Sequence, residues 1–201
     1  MAELFEISFE HSQALFSAAL EEFADKGYEQ ASINTILANA GMSKGQFYYH
    51  FKNKEALYLA LIGILIAKKR EFLAANMDAA LFQGDIFTLF KAQIQNGLAF
   101  AAQYPAINRF AESFIKEKGR PIYETALAVH HFGGDEGLSS LIDAAYGKGD
   151  FRNDLPLTFI KGVILYLFTH AVEIAALEQA ADFEERMAYL IEFMKTGLKG
   201  V

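Results

Sequence analysis

Between Phe16 and Lys54, three short apolar patterns of helical spacing follow one another, cut by Gly27 and Gly41. Phe16, Ala19, Leu20 and Phe23 stand at i, i+3, i+4 and i+7, one face of a first helix that Gly27 ends. Ser32 is a plausible N-cap for a second helix carrying Ile33, Ile36, Leu37 and Ala40 up to Gly41. Ser43 and Gln46 have the S-x-x-Q spacing of a capping box, which predicts a third helix in a fixed register. In that register Phe47 and Phe51 turn inward together, and Lys44, Gly45, Tyr48 and Tyr49 lie on the opposite side.

Downstream the same punctuation continues. A long fourth helix is expected after Asn53, through Leu57, Leu61, Ile64, Leu65 and Phe72. Further helices are expected from Ile86 to Tyr104, Ala106 to Lys118, Pro121 to Phe132 and around Leu138 to Tyr146, then one from Leu157 to Leu177 and one after the N-cap candidate Asp182. Alternation of β-branched residues at period two is nearly absent, so the chain reads as all-α, with no tandem repeat. Phe159, Val163, Leu167 and Ile174 form one stripe, and Phe183, Met187, Leu190 and Met194 another. Two such stripes at the C-terminal end predict a four-helix interface across a twofold axis. A hydrophobic content of 53% also points to apolar surface buried between subunits.

Composition removes several function classes. There is no cysteine, which excludes disulfides, thiolate zinc sites and cysteine nucleophiles. No nucleophile elbow, zinc-binding helix motif or phosphate-cradling glycine loop occurs, so neither catalysis, a metal nor a cofactor is expected. The most apolar stretch, Phe159 to Leu177, carries Lys161, His170 and Glu173, costly residues at a bilayer centre. With an acidic start at Glu3, Glu6 and Glu10, the opposite of a signal peptide, the expected location is the cytoplasm. A net charge of −7 argues against diffuse polyanion binding, so any nucleic-acid contact must be local.

With these features in place, the segment Leu15 to Leu61 resembles the DNA-binding domain of TetR-type transcriptional repressors. The resemblance is carried by Ala18, Phe23 and Gly27-Tyr28, by Ser32-Ile33 and Ile36, by Ala40-Gly41-Met42-Ser43-Lys44-Gly45, and by Tyr48, His50-Phe51 and Lys54-Glu55-Ala56-Leu57. The loop Gly149 to Pro156 is similar, more weakly, to the family's connection before its penultimate helix. The resemblance implies an all-helical homodimer with a helix-turn-helix domain over residues 1–53, the motif at about 32–51. Residues 54–201 would form a ligand-binding and dimerisation domain, and a small-molecule effector would release a palindromic operator.

In such a motif the second helix enters the major groove. Gln46 could then pair bidentately with adenine, Lys44 could reach guanine or a phosphate, and Gly45 would admit close backbone approach. The resemblance places Tyr48 and His50 on the DNA backbone and Tyr49 at the groove wall. Ser32, Thr35 and Ser43 complete the expected contact set. Lys54 lies in the first turn of a helix, where its charge opposes the macrodipole. Together with Lys52 and the free N–H groups behind Asn53 it would make a phosphate site. Up to Lys54 four lysines face seven carboxylates and no arginine precedes Arg70, so a modest salt slope is expected, about four to six phosphates in total. For the effector, a mainly apolar pocket is expected around Tyr104, Phe110, Phe114 and Tyr166, with Arg109, Tyr123, His130, His131 and His170 as polar candidates. The acidic N-terminal segment leaves a second reading open, a helical ligand-binding or interaction module that does not bind DNA.

Overall fold

A computed structural model of the chain describes residues 9–76, 84–131, 136–174 and 183–200. The helices are α1 (Ser12–Gln30), α2 (Ile33–Ala40), α3 (Lys44–His50), α4 (Lys54–Asn76), α5 (Ile86–Gln103), α6 (Pro105–Ile115), α7 (Pro121–His130), α8 (Glu136–Lys148), α9 (Leu157–Thr169), α10 (Ala171–Ile174) and α11 (Phe183–Leu198). Among the described residues the sole extended pairing is an antiparallel bridge between Phe151 and Lys199. The all-α expectation therefore holds. Phe132, Leu177 and Asp182, expected to end or start helices, lie outside the described residues.

The chain divides into two compact units, Met1–Phe72 with Phe100–Phe132, and Leu73–Ala99 with Gly133–Val201. The first unit is built on one apolar core. Phe16, Phe23, Phe47, Leu57, Tyr58, Leu61 and Phe110 are fully enclosed within it. Each such side chain contributes about 1.5–3 kcal/mol by leaving water. Rings meet edge-on around Tyr58, with Phe23 at 4.8 Å and Phe110 at 5.3 Å. α6 packs lengthwise on α1 and adds polar links along the seam: Ser113 Oγ donates to Phe23 O at 2.8 Å, and Arg109 reaches Glu21 and Asp25.

The helical path of α1 breaks at Gly27, with φ 70° and ψ 178°, as the glycine predicts. Glu117, 2% exposed, closes that break. Its Oε1 accepts the Tyr28 N–H at 2.9 Å and its Oε2 accepts from Arg120 at 2.7 Å.

In the second unit α9 and α11 close a separate core on Ile86, Phe87 and Phe90 of α5 and Ile142 of α8. The expected single helix from Leu157 to Leu177 is instead interrupted at His170, with φ −104° and ψ 14°. There both the His170 N–H and its imidazole Nδ1 converge on the Tyr166 carbonyl, at 3.0 and 2.9 Å. That side-chain competition for a helical acceptor accompanies the break.

Candidate nucleic-acid interface

α2 and α3 are set by local bonds that the sequence spells out. Ser32 caps α2, its Oγ accepting the Thr35 N–H at 3.4 Å, and its own N–H donates to Glu22 Oε1 at 3.0 Å. That hydrogen bond, against the effect of burial and together with Lys26 at 3.1 Å, holds the Glu22 carboxyl below the ordinary glutamate range. Gly41 ends α2 in the left-handed region, φ 64° and ψ 27°. Its N–H and that of Met42 take the last carbonyls, Ala38 O and Leu37 O.

The expected capping box opens α3: Ser43 Oγ accepts the Gln46 N–H at 3.2 Å, and Gln46 Oε1 accepts the Ser43 N–H at 2.9 Å. Phe47 is fully buried and Phe51 nearly so, anchoring the inner face. The outer face carries exposed Ser43, Lys44 and Gly45, with Tyr48 at 58% and Tyr49 at 85% exposure. Two aromatic side chains thus stand open side by side on a seven-residue helix. Gln46 and Thr35 are half-buried. His50 is exposed but stacked on Phe9, ring centroids 3.8 Å apart, so its ring edge rather than its face is open.

Lys54 departs from expectation. Its ammonium turns back to the end of α1, donating to Glu29 O at 3.0 Å and Ala31 O at 3.2 Å, 4.8 Å above the Tyr28 ring. A cation misplaced on its own helix's N-terminus is thus well placed on the negative end of another. The phosphate site expected of its side chain is corrected accordingly. Asn53 caps α4 by accepting the Ala56 N–H at 2.8 Å.

The expected effector residues fall in both units. In the first, Phe110 and Phe114 are buried core rings, and Tyr123 stacks on Phe114 at 4.8 Å. Tyr104 packs 5.1 Å from Phe100. Arg109 is an exposed ion-pair partner of Glu21 and Asp25. His130 Nε2 lies 2.8 Å from Leu59 O in a notch left by Gly63, where a Cβ would come within 3.0 Å of the imidazole. In the second, Tyr166 is exposed and stacks on His170 at 4.1 Å.

Of the two expected subunit stripes, the one on α11 needs correcting. Met187 and Met194 are enclosed by the chain's own core, and Phe183 packs against it, so they have little surface to offer a partner. Leu190 is buried too, at the floor of an open groove of about 730 Å³ formed with Leu167, Ile174, Arg186, Tyr189 and Phe193. Tyr189 and Phe193, an i, i+4 pair outside the Phe183, Met187, Leu190, Met194 stripe, stand open with Phe159 and Ile174. Val163 and Leu167 are half-buried beside them.

A capped helix turning through glycine into a second, whose inner aromatics are buried and whose outer ones are bare, defines a helix-turn-helix protein. The sequence profile of "Bacterial regulatory proteins, tetR family" matches residues 15–61. The chain is 41% identical over 199 residues to the HTH-type transcriptional regulator YerO of Bacillus subtilis, covering 96% of this chain and 66% of that protein. It is 24% identical over 156 residues to the HTH-type transcriptional repressor AcnR of Corynebacterium glutamicum, covering 76% and 77%. A further curated relative is matched along 38% of its own length. The fold is that of a TetR family transcriptional regulator from Chloroflexus aurantiacus, with a TM-score of 0.74 over 98% of this chain and 96% of the other at 23% identity. The chain belongs to the TetR family of DNA-binding transcriptional regulators. No helix among the described residues is long and apolar enough to cross a membrane.

Proposed function

We propose that the protein is a cytoplasmic homodimeric repressor that binds a palindromic operator through α2 and α3 and leaves it when a small, mainly apolar ligand binds. The reading divides the chain into a DNA-binding part, residues 1–53, and a ligand-binding and dimerisation part, residues 54–201. One observation carries it: a capping box fixes a short helix whose Lys44, Gly45, Tyr48 and Tyr49 face outward while Phe47 locks the opposite side into the core. Ser32, Thr35, Ser43 and the open edge of His50 flank that face as contacts to the sugar-phosphate backbone. At the start of α4 the exposed Lys52 and the main-chain N–H groups behind Asn53 remain for a phosphate, the Lys54 ammonium being engaged.

Two copies would meet through Phe159, Ile174, Tyr189 and Phe193, large side chains left open on α9, α10 and α11. Half-sites on one DNA face require recognition helices about 34–36 Å apart, so a small change of spacing abolishes simultaneous contact. A ligand that favours the splayed pair by about 1–3 kcal/mol would suffice. Tyr104, Tyr123, His130 and their aromatic neighbours are the groups around which such a ligand would bind, with Tyr166 and His170 as candidates in the second unit.

The test is a footprint on the DNA flanking the protein's own gene. Protection that Tyr49→Ala removes supports the regulator. The specific observation favouring the other reading, a module that does not bind DNA, is the charge of the N-terminal segment: four lysines against seven carboxylates up to Lys54, with the Lys54 ammonium turned inward. Absence of protection even at low salt would establish that reading instead.

A further inference from the structure

We infer that Gln46 is a positioning residue that holds the start of the recognition helix and does not read a base; the inference rests on the operator-binding reading above. A glutamine that recognises adenine must extend to the base edge, accepting from N6 with its carbonyl oxygen while its amide nitrogen donates to N7. In this protein the side chain folds the other way. Its Oε1 lies 2.9 Å from the Ser43 main-chain nitrogen, and the return bond from the Gln46 N–H to Ser43 Oγ is 3.2 Å. The donor settles which end of the amide is which, because a main-chain N–H can be accepted only by the oxygen.

Advancing this side chain into a groove breaks the bond to Ser43 and leaves an orphan N–H at the helix start. α3 has only seven residues and therefore few intrahelical bonds to hold it if that cap opens. Within the box, Gln46 fixes the rotation of α3 about its axis and so the direction of Lys44, Tyr48 and Tyr49. Those three exposed side chains are left to meet the duplex, each carrying a donor that can bond a guanine edge. The outward polar residue that sequence spacing selects as a base reader is thus the support of the readers.

The experiment uses the full-length protein, selecting bound sequences from a random duplex pool with the wild type, Gln46→Ala and Gln46→Glu, and following hydrogen exchange of the Ser43 amide by NMR. Glutamate keeps an acceptor for the Ser43 N–H, so Gln46→Glu should retain amide protection and the wild-type base preferences at every position. Its added charge should weaken binding several-fold for all sequences alike. Gln46→Ala should lose protection of Ser43 at least tenfold and weaken binding, again without altering which bases are preferred. A position whose preference changes in either variant, from adenine to cytosine in Gln46→Glu above all, overturns the inference by showing a direct base contact. An unprotected Ser43 amide in the wild type overturns it from the protein side. A wild-type selection that enriches nothing overturns the operator-binding reading and any base-orienting role with it; a protected Ser43 amide then marks that failure as one of DNA binding, not of the cap.

Discussion

Substituting Gly27 by alanine tests how the helix-turn-helix is joined to α6. Two penalties arise. The backbone at Gly27, φ 70° and ψ 178°, lies in a region that is open essentially to glycine alone, and an L-residue held there costs about 1–3 kcal/mol. The new Cβ would also stand 2.8 Å from Glu117 Oε1. That oxygen cannot retreat freely, because it accepts the Tyr28 N–H while the same carboxylate binds Arg120. Moving it orphans a part-buried N–H, a further ~1–3 kcal/mol. Gly27→Ala should therefore destabilise by about 2–6 kcal/mol, the two terms together. Glu117→Ala alone loses the Tyr28 acceptor and should cost about 1–3 kcal/mol. In the double variant that same bond is lost only once and the collision is gone. The cycle should thus fall short of additivity by about 1–3 kcal/mol. Urea unfolding at one fixed protein concentration measures all four species, since an associating chain's midpoint depends on concentration. A cost below about 0.5 kcal/mol for Gly27→Ala, or strict additivity in the double variant, would refute the reasoning.

Three other outcomes are expected. Tyr58 is fully buried with its hydroxyl unpartnered among the described residues, so Tyr58→Phe should leave the melting temperature unchanged or raise stability by up to about 1 kcal/mol; a loss above that would reveal a partner for the hydroxyl. The folded state holds Glu22 below the ordinary glutamate range, chiefly through the Ser32 N–H. Its contribution is therefore complete above that range and is lost as pH falls through the lowered value. Gln in its place keeps an acceptor but should flatten the acid limb of a stability-against-pH curve, and an unchanged limb would refute the assignment. Replacing both Tyr189 and Phe193 by serine should shift sedimentation from dimer to monomer while the helical circular dichroism is kept, because both are exposed within the chain; an unaltered dimer would place the contact elsewhere.

What the sequence showed plainly is what short-range bonds decide. The break at Gly27, the Ser32 cap, the left-handed Gly41 and the Ser43–Gln46 box each depend on residues within about four positions, and helical propensity and capping act at that range. What it concealed depends on partners far along the chain. Glu117 meets Tyr28 across 89 positions, Ser113 meets Phe23 across 90, and Arg109 meets Glu21 across 88, which turns a candidate effector contact into a strut between α6 and α1. Lys54 reads as free for phosphate because its acceptors, the Glu29 and Ala31 carbonyls at the end of α1, are main-chain groups that no residue pattern displays. On α11 two stripes compete, and periodicity alone cannot say which faces inward. Met187 and Met194 fill the chain's own core, where a flexible side chain fits irregular gaps, whereas Tyr189 and Phe193 are left outside on the adjacent face. Gln46 joins both kinds: its bond to Ser43 was legible from spacing, but the consequence of that bond follows only from geometry. An oxygen already committed to the helix start is not at the tip of an extended side chain, so a residue type that reads adenine elsewhere instead orients its neighbours in this helix.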